Sequence, residues 1–268
     1  MACRYIISAF ATAATLLAAT PAFADATLIV QGADGLESSI QVRNGRGRLN
    51  SSGMSGYLVF DTTSGSITFV EPAQRRYTQA TAAELQSSIE AAASIRESVA
   101  PYMADLLAGL PAEQRRMIEQ RMGGVPGAPA AGQSTGTAQI ATVARGTHTI
   151  AGLRCHASGI LKNGRPAAEV CMATAPSGKL SAADFATLAQ MVSVARTLAA
   201  GAGSMLGNVA DQLEFLATDV DGVPVAVRDL EHGKRYQVSA VSNAPLQDAL
   251  FNSYGGFRKQ QLAGLLGQ

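Results

Sequence analysis

The residues most open to chemistry are Cys155-His156 and Cys171, in the stretch LRCHASGILKNGRPAAEVCMA (153–173). A thiol nucleophile needs its general base within hydrogen-bonding reach, about 2.6–3.2 Å. The stretch reads as a strand, and adjacent residues of a strand project to opposite faces. That geometry forbids a dyad. Metal chemistry has little more support. His148 and His156 with two thiols offer four soft ligands, but no C-x-x-C or H-x₃₋₅-H spacing accompanies them. No Gly-rich phosphate loop, G-x-S-x-G elbow or paired carboxylates stand out. The expectation is a chain with no catalytic, cofactor-binding or metal-ligating residue.

A disulfide is the better use of the two thiols. A three-residue turn at Lys162-Asn163-Gly164 would set Leu161 opposite Arg165 and Cys155 directly opposite Cys171. Cross-strand partners lie about 4.5–5.5 Å apart at Cα, within the range of about 4.4–6.8 Å that a disulfide spans. A two-residue Asn-Gly turn would shift the register and make the cysteines miss by one. Pro166, beside the turn, has no N–H to offer a third strand, which predicts a sheet edge there.

An oxidising compartment agrees with that pairing. Arg4, an apolar run from Tyr5 to Leu17 and the Ala22-Phe23-Ala24 site have the build of a cleaved signal peptide over residues 1–24. Removing those 24 residues from 268 leaves 244, and the balance of 21 basic to 20 acidic residues becomes 20 to 20, since Arg4 is the segment's one charge. The expected location is the periplasm, with secretion as the alternative. A neutral chain has no field to attract nucleic acid. Arg43-Asn44-Gly45-Arg46-Gly47-Arg48 reads as a hairpin turn with solvated arginines.

The elements that must carry these residues follow from periodicity. Five short strands are expected between Thr27 and Val70, with glycine at most bends. Thr81-Ala82-Ala83-Glu84 then forms a capping box, and Leu85, Ile89, Ala92, Ile95 and Val99 follow at helical spacing until Pro101 breaks or kinks the helix. Met103, Leu106, Leu107 and Leu110 make a second apolar stripe, Pro111 can open a third helix that stops at Gly123-Gly124, and 123–139 is expected as a flexible Gly/Pro-rich loop. Strands resume near Ile140. A second capping box at Ser181–Asp184 opens a helix with Phe185, Leu188 and Met191 on one face, and Met205–Leu216 is a further short helix. Alternating Val223, Val225 and Val227 and then Tyr236 and Val238 close the chain as a hairpin. This order argues an α+β protein, an antiparallel sheet with helices on one face, in a single domain over residues 25–268.

Several motifs together resemble an uncharacterised exported bacterial family related to the periplasmic lipoprotein carriers LolA and LolB. They are GYLVFDTTSGSITFVEPAQRRYTQ (56–79), Ile150–Cys155 paired with Ala168–Ala173, Val223-Pro224-Val225, Leu246–Phe251 and Gly256–Lys259. The likeness runs from about residue 26 to 260. It implies an antiparallel half-barrel whose concave face is covered by helices, and it carries over no binding residue of the carriers. The resemblance transfers no function, but a curved sheet with long apolar helices makes a pocket floor and lid, so the expectation is a non-enzymatic protein that binds an apolar ligand between sheet and helices. The ligand would be a lipid, an acyl chain or a lipidated partner, with peripheral membrane contact. Leu85, Ile89, Phe185, Leu188 and Met191 would face the cavity. The alternative is a structural or interaction component of the envelope with a filled core.

Overall fold

The computed structural model describes residues 25–32, 35–111, 113–114, 139–202 and 220–261. The expected signal peptide (1–24), most of the expected third helix and Gly/Pro-rich loop, and the expected helix at 205–216 lie outside the described residues.

Twelve strands form one open sheet in the order β12-β6-β5-β4-β3-β2-β1-β11-β10-β9-β8-β7. Residues Ala26–Gly32 (β1), Glu37–Arg43 (β2), Arg46–Ser51 (β3), Tyr57–Asp61 (β4), Ser66–Glu71 (β5) and Arg76–Thr81 (β6) make a continuous meander. Three more strands follow the first long helix: Ile140–Ile150 (β7), Leu153–Lys162 (β8) and Arg165–Ala173 (β9). Val223–Asp229 (β10) and Arg235–Ser242 (β11) close the gap, with β11 against β1 and β10 against β9. Pairing is antiparallel except that the last strand, Arg258–Gln260 (β12), lies parallel to β6.

Helix α1 (Ala82–Ala108) begins at the expected capping box: Glu84 N–H donates to Thr81 Oγ1 at 3.2 Å, and Thr81 N–H donates to Glu84 Oε2 at 2.7 Å. It runs through Pro101 rather than ending there. Pro101 is exposed, so water can replace the backbone donor that proline lacks. Helix α2 (Ala182–Ala202) starts at Ser181, whose Oγ accepts from Asp184 N–H and donates to the Asp184 carboxylate at 2.6 Å. Burial raises the pKa of that carboxylate, against the opposing bonds from Ser181. Among the described residues no helix is long and apolar enough to cross a membrane.

Period-two alternation puts the main core on the face that α2 covers. Leu28, Val30, Ile40, Val42, Leu49, Leu58, Phe60 and Val238 meet Leu188, Met191, Val192 and Ala195 there. The helices do not all share that face. The short α3 (Ala249–Asn252) places Phe251 against Tyr57, Val59 and Val70, which point the other way from β4 and β5, and Leu246, Leu250, Tyr254 and Phe257 pack around them.

The arginines at the β2–β3 hairpin are not simply solvated. Asn44 (φ 50°) and Gly45 (φ 73°) make the expected two-residue turn. Arg43, however, pairs with Asp25 at 2.7 Å and with Asp248 at 2.9 Å, and also donates to the Leu246 carbonyl. Arg46 pairs with Asp61 at 3.3 Å. Arg48 lies 3.7 Å above the Tyr57 ring and donates to the Leu250 carbonyl at 2.6 Å. Because β3 borders the second core, these side chains meet the C-terminal segment before they meet water.

Candidate functional site

Cys155 and Cys171 are disulfide-bonded, 5.3 Å apart at Cα. The register that joins them differs from the expected one. Asn163 (φ 53°) and Gly164 (φ 76°) form a two-residue turn with Lys162 opposite Arg165, and a bulge follows between Ile160 and Leu161. Cys171 therefore faces Ala157, and the disulfide joins diagonal neighbours on one face. Asn-Gly suits a two-residue turn with both residues at positive φ, and this outweighs the three-residue alternative. The hairpin is not a sheet edge either: β8 and β9 lie inside β7, which is the edge strand. The β9–β10 ladder stops at Ala168, so β10 asks no hydrogen bond of Pro166.

Cys155 is fully buried, whereas His156 is exposed on the opposite face with Nδ1 3.3 Å from Thr147 Oγ1. No nucleophile–base pair exists here. His232 is held rather than free: its Nδ1 lies 2.7 Å from Asp229 Oδ2, and its N–H donates to Asp229 Oδ1. Among the described residues, no group of three or more His, Cys, Asp or Glu gathers as a metal site would require.

The residues expected to face a ligand cavity sit in the core. Leu188 and Met191 are 2% and 1% exposed, and Leu85 and Phe185 pack against the same cluster. The side chain of Ile89 lies outside the described residues. The space that Met191 borders, with Phe60, Ile67 and Val194, amounts to about 20 Å³.

A larger groove of about 450 Å³ lies on strands β7–β11. Ligand pockets run from roughly 300 to 1,000 Å³. Its floor is Ile150, Ala157, Cys171 and Ala226, all part of the main core or packed on it. One row of the floor crosses Ala157, Cys171, Ala226 and Gln237 on four adjacent strands. The next row outward is polar: Gly159, Glu169, Arg228 and Arg235 are register partners in turn.

Bulges set this alignment. Arg145 is the extra residue where the β7–β8 register shifts between Ala144 and Gly146. A bulge re-aims its side chain, and Arg145 now crosses Gly159, where a Cβ would stand 3.0 Å from its Nε. There it reaches Glu169 at 2.8 Å. A second bulge, at Val225, brings Arg228 into line with Glu169, which it meets at 3.6 Å. Arg235 donates to the neutral Gln237 amide oxygen at 3.0 Å. Periodicity alone could not find this row, because each bulge inverts the alternation that a sequence reading relies on. A depression of about 580 Å³ elsewhere, bounded by Arg154, His156 and 174–178, is mainly polar and lacks such a floor.

Fold and groove together define an open, mostly antiparallel sheet protein with an apolar trough rimmed by arginine. No protein-family model matches the chain, and no curated protein does. Among solved structures it is similar to an uncharacterized conserved protein from Thermus thermophilus, with 8% identity, 90% of this chain and 91% of that chain covered, and a TM-score of 0.37.

Proposed function

We propose that the protein is an exported, non-enzymatic binder of an apolar ligand, a lipid, an acyl chain or a lipidated partner, built as a half-barrel related to LolA and LolB. The observation that carries this reading is the trough of about 450 Å³, whose apolar floor continues the main core across strands β7–β11. Ile150, Ala157 and Ala226 of that floor are only part-buried, so apolar sheet surface is left to meet a ligand. Exposed Val99, Tyr102 and Leu106 at helical spacing on α1 support contact with a membrane or lipidated partner. Periplasmic location rests on the 1–24 leader and agrees with a disulfide in the folded chain.

The test is native mass spectrometry after mild extraction, together with titration of a fluorescent fatty acid. Lipid adducts and saturable binding are expected. If both are absent, the reading fails, and a structural component with a filled core takes its place. The tight packing of Leu188 and Met191 favours that second reading.

A further inference from the structure

The trough carries more than apolar surface. Arg145, Arg228 and Arg235 line its outer row, and Glu169 is the one carboxylate among its lining residues. Two of the guanidiniums share that carboxylate, and the third has a neutral amide as partner. The surplus is local, since the mature chain has equal numbers of acidic and basic residues. His148 borders the same space from β7. A charged row beside an apolar row, one strand-residue pair further in, matches the two ends of an amphiphile.

We propose that the trough takes a single-chain anionic amphiphile, with its carboxylate or phosphate on Arg145, Arg228 and Arg235 and its hydrocarbon along Ala157, Cys171, Ala226 and Ile150. This rests on the apolar-ligand reading and adds the head group to it. Guanidinium forks bind planar carboxylates and phosphates in a bidentate manner, and beside low-dielectric walls they do so more strongly than in open water. An uncharged head would leave the surplus positive charge uncompensated. Glu169 competes with the ligand for Arg145 and Arg228, so it acts as a brake on binding and also holds the two side chains in place.

The experiment compares palmitate, palmitoyl lysophosphatidate, hexadecanol and inorganic phosphate by calorimetry or displacement of a fluorescent probe. The proteins are the parent chain and the variants R228E, R235E and E169Q. Palmitate or lysophosphatidate should bind at least tenfold tighter than hexadecanol. R228E and R235E should each weaken the anionic ligands at least tenfold and leave hexadecanol unchanged. E169Q should tighten the anions severalfold. The comparison of palmitate with lysophosphatidate tells which head group is preferred, and either preference supports the proposal.

Equal binding of hexadecanol and palmitate, insensitive to R228E and R235E, overturns the head-group proposal but leaves the apolar-ligand reading intact. Failure of all three long-chain probes overturns both. Inorganic phosphate binding as tightly as the amphiphiles removes the hydrocarbon from the proposal and so overturns it. Arg228 is 62% exposed, and circular dichroism of each variant confirms that losses are not losses of fold.

Discussion

Replacing Arg43 by alanine should unlatch the C-terminal segment from the sheet, and the loss can be worked out from its partners. Arg43 Nη1 donates to Asp25 Oδ2 at 2.7 Å and to the Leu246 carbonyl, while Nε reaches Asp248 at 2.9 Å. The Asp25 side chain is 5% exposed; Oδ2 also accepts from Leu246 N–H at 2.5 Å, and Oδ1 has no hydrogen-bond partner among the described residues. Without Arg43, this nearly buried carboxylate keeps Leu246 N–H as its one hydrogen-bond donor among the described residues. Stranding one member of a buried pair costs roughly 3–5 kcal/mol. Arg43 itself is 24% exposed and Asp248 72% exposed, which discounts the first interaction and makes the second worth only a few tenths. We expect a loss of about 2–3 kcal/mol, roughly a 30- to 150-fold fall in the folding constant. Urea denaturation followed by circular dichroism measures it, and hydrogen exchange should quicken over residues 246–252. The decisive comparison is R43A/D25N. If the cost is the stranded charge, the second substitution restores more than half of it. A loss below about 0.5 kcal/mol for R43A, or a double variant no more stable than the single one, would refute the reasoning.

Four further outcomes are expected. Replacing both cysteines by alanine reopens a hairpin closed across a separation of 16 residues; the chain-entropy model puts the loss at about 3 kcal/mol, read as a lower denaturation midpoint that dithiothreitol reproduces in the parent chain. A Cβ at Gly47 would stand 2.1 Å from Met191 Sδ, and Met191 is 1% exposed. G47A should therefore cost about 1–3 kcal/mol by overpacking, and thermal melts of G47A, M191A and the double variant should be non-additive, the double losing less than the sum. Asp229 is part-buried, which opposes ionisation, but bonds from the His232 backbone and ring and from Glu231 N–H hold its pKa below the ordinary value. Its contribution to stability is complete above the unfolded pKa of about 4 and fades as pH falls through the lower folded value. D229N should flatten the acid limb of a stability–pH curve, and identical limbs would count against the turn's role. Burial shifts Asp184 the other way, so its ionisation opposes folding above the unfolded pKa; D184N should raise the thermal midpoint at neutral pH by the equivalent of up to about 1 kcal/mol.

Much of the scaffold was legible because it is written in local terms. Ile40 and Val42, alternating with polar neighbours, mark a strand with one buried face, the run Tyr57–Phe60 marks a strand buried on both, Asn44-Gly45 marks a hairpin turn, and Thr81 with Glu84 marks a helix start. The separation of Cys155 from His156 onto two faces follows from the strand period, which each residue's immediate neighbours determine. The cysteine pairing also followed, although the register assumed for it did not. What brings Cys171 to Cys155 is a bulge at Ala167, and a bulge has no fixed signature in residue type.

The sequence by itself determined most of the strands, the starts of the two long helices, the neutral balance of charge and the separation of Cys155 from His156, since each depends on residues close together in the chain; the strands at 76–81 and 258–260 it did not show. The tertiary structure alone decided that β11 closes onto β1 and that Arg43 and Arg48 grip residues 246–250 some two hundred positions away. It also decided that Arg145 reaches across Gly159 to the row of Glu169, Arg228 and Arg235. Strand order and bulge position are settled by competition among many near-equivalent apolar faces for one core. That competition is won by packing over the whole sheet, which no single stretch of residues encodes.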